Sequence, residues 1–191
     1  MTRCRLGLLV GGAGRSALNL HEAARQGAIP AEVALVIASR ADIPAVARCR
    51  EAGLPLEVLS PDAGPPDDQI DAALQRARVD LVCLCGWLRR FRVGNWRTRA
   101  INIHPALLPD FGGPGMYGDR VHAAALASGV PQSGCTVHLV DEQYDHGEII
   151  LQRRCAVMQD DTPATLAARV FAEEVIAYPE AIRRWCASRQ C

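Results

Sequence analysis

Apolar stretches alternate with mixed apolar and polar stretches through the first half of the chain. The apolar stretches predict four strands, at Cys4–Val10, Val33–Ser39, Leu56–Leu59 and Asp80–Cys85. The stretches between them predict three helices, at Ser16–Gln26, Ile43–Ala52 and Asp67–Arg78, the first of them with Ser16 as its N-cap. Strands that alternate with helices indicate an α/β fold with a parallel sheet, and near-continuous apolar strands indicate burial on both faces of that sheet.

The second half of the chain has a different order of elements. We predict three further strands and two helices, which are a strand at Arg99–Ile103, a helix at Asp119–Ser128, strands at Thr136–Val140 and Glu148–Val157, and a helix at Thr162–Ala187. Two successive strands joined by a loop favour an antiparallel edge on the parallel sheet. The expected fold is therefore a single α/β domain over residues 1–191, with a parallel sheet, an antiparallel C-terminal edge and helices on both faces.

Composition narrows the possible partners of this domain. The chain of 191 residues carries 21 basic and 21 acidic residues, so its net charge at pH 7 is zero. A neutral chain has no overall field to attract nucleic acid or an anionic membrane, so we expect neither as a partner. Every basic residue is an arginine, so any anion has to be recognised by arginine. We expect small-molecule substrates and a monomer or homodimer.

Eight cysteines occur along the chain. Most lie in apolar strand-like stretches, no C-x-x-C pair is present, and Cys83 and Cys85 would share one strand face without room for a relaxed bridge. We therefore expect reduced cysteines in the core. The apolar stretch near Met1–Val10 is too short for a signal peptide and no stretch has transmembrane length, which favours a cytoplasmic enzyme.

A glycine-rich turn follows the first predicted strand and precedes the first predicted helix. Gly12, Ala13, Gly14 and Arg15 occupy this turn. Backbone N–H groups at the start of a helix bind anions, and the Arg15 guanidinium would add a charged fork. The turn matches neither G-x-G-x-x-G nor the Walker sequence. Its residues thus predict a phosphate site, with a tight turn that binds nothing as the equal alternative.

Asn102 and His104 are two residues apart at the end of a predicted strand, so their side chains should point the same way. Prolines directly after them disfavour a helix. Asp145 lies in the loop before the last predicted strand. An amide that stabilises an oxyanion, an imidazole that moves protons and a carboxylate beside it are the groups needed to transfer an acyl group to an amine. Open α/β sheets place their ligands at the carboxyl ends of strands, which supports this site.

Metal binding is the competing chemistry for the same region. Its candidate ligands are His104, His122, His138 and His146, with several aspartates. None of them has the close spacing of a H-E-x-x-H site, so we expect no metal. His138 falls inside a predicted strand, where bracing the site is the simpler role.

Three stretches of the chain resemble the folate-dependent formyltransferases. They are Ile101–Pro109, Gly134–Val140 and Tyr144–Gln152. Together they carry the family pattern of Asn, one residue, His-Pro, a small residue and Leu-Leu-Pro, followed by Asp-x-Gly-x-Ile-x-x-Gln. The resemblance extends over essentially the whole chain and implies a Rossmann-like formyltransferase fold.

The resemblance implies that a formyl group passes from 10-formyltetrahydrofolate, a co-substrate, to the amine of glycinamide ribonucleotide in purine biosynthesis. Asn102 and His104 would polarise the formyl carbonyl, and Asp145 would assist proton movement through water. No metal and no covalent intermediate are required. Residues 1–98 would then form a phosphate-binding half, and residues 99–191 a catalytic and folate-binding half.

The resemblance also assigns the other site residues to one of the two substrates. Those expected to hold the folate are Trp87, Leu88, Arg89 and Phe91 on one side, and Val140, Asp141 and Tyr144 on the other. The residues expected to hold the phosphate of the acceptor are Gly12, Ala13, Gly14 and Arg15. Glu174 is expected to contact another part of the acceptor.

The chain departs from the family pattern at two places. The phosphate turn of the family carries Gly-Ser-Asn, whereas this chain has Gly14-Arg15-Ser16-Ala17. The sequence therefore predicts an anion in this turn but does not identify it. The segment Phe111–Gly118 is longer and richer in glycine than expected, which indicates a lid over the folate tail or a loose surface loop.

Four alternatives bear on the function. Another phosphorylated amine or amino sugar nucleotide as acceptor would explain the altered turn, and formyltetrahydrofolate hydrolase shares the same three catalytic residues. That hydrolase is expected to carry a regulatory domain before its first strand. A formyltransferase that acts on methionyl-tRNA would need basic surface and a further C-terminal domain. A nucleotide-binding oxidoreductase would need an acidic residue where Ser39 and Arg40 stand.

Overall fold

The structure is a computed structural model that describes residues 3–189. Its strands are β1 (Cys4–Val10), β2 (Ala31–Ala38), β3 (Leu56–Val58), β4 (Leu81–Cys85), β5 (Ala100–His104), β6 (Gln132–Leu139) and β7 (Ile149–Ala156). Its helices are α1 (Arg15–Arg25), α2 (Pro44–Glu51), α3 (Pro66–Arg76), α4 (Asp119–Ala127) and α5 (Pro163–Arg189), with short 3-10 turns at Pro61–Ala63 and Gly94–Trp96.

The seven strands form one sheet in the order β3-β2-β1-β4-β5-β6-β7. The first five are parallel to their neighbours, while β6 pairs antiparallel with β5 and β7 with β6. This confirms the predicted parallel sheet with an antiparallel C-terminal edge. The division predicted between residues 98 and 99 falls between β4 and β5, which pair within the same sheet.

Two hydrophobic clusters cover the two faces of the sheet. Along β1, Leu6, Leu8 and Val10 belong to the cluster that contains α1, α2, α4 and α5, whereas Leu9 belongs to the cluster on α3. This alternation follows from the two-residue period of a strand, and burial of both faces explains why the parallel strands are apolar throughout. The prediction of helices on both faces is confirmed.

Two sequence-based expectations about local structure are wrong. Strand β6 begins at Gln132, four residues before the predicted start, because the polar and glycine residues there still pair with β7. A Cβ atom at Gly134 would collide with the carbonyl oxygen of Arg153, so glycine is what lets the strands approach there. Ser16 does not cap α1, since Gly14 is the N-cap, with φ 75, and no side chain bonds the cap.

The described cysteines agree with the prediction of a reduced core. All seven of them are free, and only Cys155 is more than marginally exposed. Burial raises the pKa of Cys83, and burial together with nearby carboxylates raises the pKa of Cys135 to about 12, so these thiols are protonated at neutral pH. Cys191 lies outside the described residues. Across residues 3–189, no helix is both long and apolar enough to cross a membrane.

The carboxyl ends of β1, β4 and β5 lie next to one another at one edge of the sheet. The turn at residues 11–14, the segment 86–91 and the loop after His104 leave the sheet there. The fold thereby brings the predicted phosphate turn and the predicted catalytic residues to a common edge, as expected for an open α/β sheet.

Candidate active site

A cleft of about 510 Å³ opens at this edge. Every site residue predicted from the sequence lines it, namely Gly12, Ala13, Gly14, Arg15, Trp87, Leu88, Arg89, Phe91, Asn102, His104, Val140, Asp141, Tyr144, Asp145 and Glu174. The volume falls within the range of small-molecule sites, which is about 300–1,000 Å³. The structure therefore brings together residues that are far apart along the chain.

Strand β5 places Asn102 and His104 on the same side, as their spacing predicts. The amide nitrogen Nδ2 of Asn102 lies 3.3 Å from Oδ1 of Asp145 and 3.2 Å from Nε2 of His138. Both hydrogens of this amide thus have partners within the protein. The predicted grouping of Asn102, His104 and Asp145 is present.

The ring of His104 is 3 % exposed and faces two oxygen atoms. Its Nε2 lies 2.8 Å from the carbonyl oxygen of Phe111, and its Nδ1 lies 3.4 Å from Oδ2 of Asp145. A carbonyl and a carboxylate only accept hydrogen bonds, so this geometry favours a ring that carries both protons. Burial outweighs Asp145 and the Phe111 carbonyl, which act in the opposite direction, and holds the pKa of His104 below its usual value.

Asp145 is held in a left-handed backbone conformation, with φ 55, which Asp tolerates better than most residues. Its Oδ2 accepts a hydrogen bond of 3.0 Å from the backbone N–H of Gly113. Burial raises the pKa of its carboxyl group, but the His138 ring, the charge of His104 and the Gly113 N–H outweigh it and hold that pKa below its usual value. Asp145 is therefore ionised at neutral pH, although its side chain is only 10 % exposed.

His138 braces this group from strand β6. Its Nδ1 lies 2.8 Å from the carbonyl oxygen of Leu139, so Nδ1 carries a proton. Its Nε2 then faces Asn102 and lies 3.6 Å from Oδ1 of Asp145. The register of the sheet sets this arrangement, because Asn102 and His138 are directly opposite each other across the β5–β6 pair.

Sequence reasoning missed two backbone groups of the site, the carbonyl of Phe111 and the N–H of Gly113. Both belong to the segment Phe111–Gly118, for which the sequence predicts a lid or a loose surface loop. The first residues of this segment contact His104 and Asp145, and residues 113–118 line the cleft. No residue type marks a backbone contact, so the sequence offered no signal for it.

The turn predicted to bind phosphate lines the same cleft. Gly14 has φ 75, and α1 begins directly after it. Helix α2 fixes the turn, since Ala45 N–H bonds the carbonyl of Gly12 at 3.1 Å and Arg48 bonds the carbonyl of Ala13 at 2.9 Å. A Cβ atom at Gly12 would meet nothing within 4 Å, so this part of the turn is open.

Arg15 and Glu174 lie together beside this turn. The guanidinium carbon of Arg15 is 4.1 Å from the ring centroid of Phe171, in cation–π geometry. Phe171 and Glu174 are one turn apart on α5. Burial raises the pKa of Glu174 to about 7, against the opposing influence of Arg15. A positive guanidinium next to the start of a helix forms a site for an anion.

Two segments face each other across the remaining part of the cleft. Trp87 and Phe91 are buried, and the indole N–H of Trp87 has no partner among the described residues. Leu88 and Tyr144 are 55 % and 47 % exposed, which is high for such apolar side chains. The carboxylate of Asp141 bonds His146 and the backbone of Gln143, so it shapes its own loop.

The histidines considered as metal ligands do not form a cluster. His104 and His138 bond groups of the site, and Nδ1 of His146 lies 2.8 Å from Asp141. His122 lines the cleft, and its Nδ1 has no hydrogen-bond partner among the described residues. In the part of the chain that the structure describes, no three His, Cys, Asp or Glu side chains are arranged to hold a metal ion.

Comparison with known proteins identifies the family. The family profile described as formyl transferase matches residues 4–182. A chloroplastic phosphoribosylglycinamide formyltransferase of Vigna unguiculata is 39 % identical over 98 % of this chain, and the trifunctional purine biosynthetic protein adenosine-3 of Homo sapiens is 34 % identical over 95 %. The chain spans 62 % of the plant protein and 18 % of the human one.

Solved structures agree with this result. Glycinamide ribonucleotide transformylase 1 of Symbiobacterium toebii has a TM-score of 0.89 and 40 % identity, covering 98 % of this chain and 90 % of its own. The phosphoribosylglycinamide formyltransferase of Brucella melitensis has a TM-score of 0.88 and 35 % identity, covering 97 % and 96 %. The chain belongs to the formyl transferase family, and the family expected from the sequence is confirmed.

Proposed function

We propose that this protein transfers the formyl group of 10-formyltetrahydrofolate to the amine of glycinamide ribonucleotide in purine biosynthesis. The observation that carries the proposal is the contact of Asn102, His104 and Asp145 at the centre of one cleft, between an anion site and an apolar pocket. Relatives with the matching names support the same acceptor.

The acceptor occupies the side of the cleft next to α1 and α5. Gly12, Ala13 and Gly14 present backbone to its phosphate, and Arg15 adds a positive charge at the start of a helix. Glu174 lies beside Arg15 and contacts the same ligand through its carboxyl group. The Arg15 side chain replaces the polar side chains that the family has in this turn.

The folate occupies the opposite side of the cleft. Trp87, Leu88, Arg89 and Phe91 hold one face of its ring system, and Val140, Asp141 and Tyr144 hold the other. The mixture of buried aromatic rings and exposed apolar side chains suits a flat ligand that removes this surface from water. The unpartnered indole N–H of Trp87 is available to a polar ring.

The folate supplies an activated formyl group. His104 in its protonated form and Asn102 stabilise the negative charge that develops on the formyl oxygen as the amine nitrogen bonds to the formyl carbon. Asp145 is ionised and accepts the proton that the amine loses, through a water molecule. Returning a proton to the folate nitrogen lets its bond to the formyl carbon break.

These residues have to exchange partners for the reaction to occur. Nε2 of His104 bonds Phe111 and its Nδ1 faces Asp145 at 3.4 Å, while the Asn102 amide bonds Asp145 and His138. A formyl oxygen can reach one of these donors only by replacing a present acceptor. The Phe111 carbonyl belongs to the glycine-rich segment Phe111–Gly118, which we call the lid segment. A movement of this segment would free His104 with the least disturbance to the sheet.

The acceptor is tested by following the release of deformylated folate in absorbance with three solutions, which contain glycinamide ribonucleotide, an amino sugar nucleotide or no amine. We expect release with the first only, together with a product whose mass is higher by one formyl group. Glycinamide riboside, which lacks the phosphate, should have a higher KM and a similar kcat, because Arg15 and the turn then lose their ligand.

The other outcomes discriminate between the alternatives. Release with the amino sugar nucleotide alone would replace the acceptor but keep the chemistry. Equal release without any amine would show a hydrolase. A cytoplasmic location and a monomer or homodimer stay predictions from the sequence, as does the absence of a metal from the reaction.

A further inference from the structure

One imidazole at the cleft has a nitrogen without a partner. His122 is 5 % exposed, and among residues 3–189 nothing lies within hydrogen-bonding distance of its Nδ1. The other imidazoles that line the cleft differ, since His104 and His138 both bond oxygen atoms of the protein. A buried nitrogen without a partner is costly, so its presence beside a cleft points to a ligand.

The packing of α4 on α5 favours a place for His122 on the side of the cleft proposed for the acceptor. His122 lies in the first turn of α4, directly after the glycine-rich lid segment. Helix α4 packs against α5, and these two helices place His122, Phe171 and Glu174 along the same cleft. The side chain is close enough to His104 for the two rings to influence each other's charge.

The electrostatic surroundings define which group His122 can recognise. Burial lowers its pKa, the charge of His104 acts in the same direction, and the carboxylate of Asp119 acts in the opposite one. A neutral imidazole has one donor and one acceptor nitrogen, which suits a hydroxyl group that both donates and accepts. A phosphate would require positive charge, which Arg15 and the start of α1 already provide.

We propose that His122 is a specificity-determining residue that binds a ribose hydroxyl group of the acceptor through its imidazole. This inference rests on the proposed function and adds a contact between His122 and the acceptor. Binding the hydroxyl would satisfy the ring at the moment when the acceptor and the catalytic residues come together.

The test compares acceptors that have or lack one hydroxyl group. The rate constant kcat/KM is measured for glycinamide ribonucleotide and for its 2′-deoxy and 3′-deoxy analogues, with wild type, His122→Phe and His122→Gln. For wild type, kcat/KM with one of the two analogues should be about three- to tenfold lower than with glycinamide ribonucleotide. This factor corresponds to the loss of one neutral hydrogen bond. With glycinamide ribonucleotide, kcat/KM of His122→Phe should be lower than that of wild type by the same factor. The variant should then have the same kcat/KM with that analogue as with glycinamide ribonucleotide.

Two controls separate this contact from a structural role. His122→Gln keeps a polar group and should recover part of the discrimination, and His21→Phe, on α1 outside the cleft, should behave as wild type. KM for the folate should be unchanged in all variants. Thermal unfolding of each variant shows whether it folds.

Three results would overturn the proposal. One is that wild type treats all three acceptors alike. Another is that His122→Phe keeps the full penalty for each deoxy analogue, which would make the residue structural. If wild type does not formylate glycinamide ribonucleotide at all, the proposed function itself fails, and this inference fails with it.

Discussion

The ring of His104 is held between two oxygen atoms, one from a carbonyl and one from a carboxylate. Burial disfavours the charged ring, while both oxygens favour it. The protonation of His104 therefore depends on whether Phe111 and Asp145 stay in place. A substrate that displaces the Phe111 carbonyl must offer an acceptor of its own, and the developing formyl oxyanion is such an acceptor.

Glu174 is a residue whose burial works against stability. Its pKa is raised to about 7 by burial, so the folded protein binds this proton more tightly than the unfolded chain does. For such an acid, stability falls as pH rises from about 4.5 to about 7, and the burial cost is complete above that range. We predict that Glu174→Gln raises Tm at pH 8 by about 2–4 °C, which is on the order of 1 kcal/mol, and changes it little at pH 5.

Thermal unfolding at the two pH values measures this difference directly. Glu51→Gln, at the exposed end of α2, is the matched control and should shift Tm little at either pH. An equal gain for Glu174→Gln at pH 5 and pH 8 would mean that the carboxyl group is not held above its usual pKa.

Strands β5 and β6 and the lid segment together shape the candidate active site. The strand period places Asn102 beside His104, and the register places His138 opposite Asn102. Thr136 on β6 fixes the loop after His104, since its hydroxyl accepts the N–H of Leu108 at 3.0 Å and donates to the carbonyl of Ala106 at 2.6 Å. The lid segment is less regular, and its glycines are the main sequence feature that bears on its conformation.

Gly112 is the point where the lid segment packs against Leu108 and Asp145 with no room for a side chain. A Cβ atom there would lie 2.5 Å from Cδ2 of Leu108 and 3.2 Å from Cβ of Asp145. We predict that Gly112→Ala displaces Asp145 and lowers kcat by roughly ten- to hundredfold, because small misplacements of reacting groups are costly. Steady-state kinetics measure the effect, and Tm should fall only modestly.

Gly27→Ala serves as the control for glycine replacement. Gly27 has φ 71 but open space around a Cβ atom, far from the cleft, so its replacement should cost stability and leave kcat unchanged. A Gly112→Ala variant with the turnover of wild type would contradict the close packing of the lid segment on Asp145.

Over the whole molecule, the sequence predicted the features that depend on periodicity and residue type. The parallel sheet and its antiparallel edge follow from the order of the apolar stretches. The position of Asn102 and His104 on the same side of β5 follows from the two-residue period of a strand. The start of β6 was missed because Ser133 and Gly134 do not look like strand residues, although they are buried in the sheet. The stacking of Arg15 on Phe171 was missed because it joins residues that only the packing of α5 brings together.

The remaining gaps concern groups that carry no signature in a sequence. The Phe111 carbonyl and the Gly113 N–H act through backbone atoms, which every residue has. The unpartnered nitrogen of His122 is visible only once all neighbours are placed. Sequence motifs thus predict which side chains carry the chemistry, and packing is needed to show what holds them.

The central claim is that the ionised carboxylate of Asp145, held between His104 and Asn102, makes this cleft a formyl-transfer site. The most direct test is the turnover of Asp145→Asn with saturating folate and glycinamide ribonucleotide. Asn has nearly the same shape and tolerates the left-handed backbone at this position, so folding and substrate binding should be retained. We predict that kcat falls about a thousandfold or more, because the ring of His104 loses its charged partner and the amine proton loses its acceptor. A variant with the same Tm and turnover close to that of wild type would contradict the account.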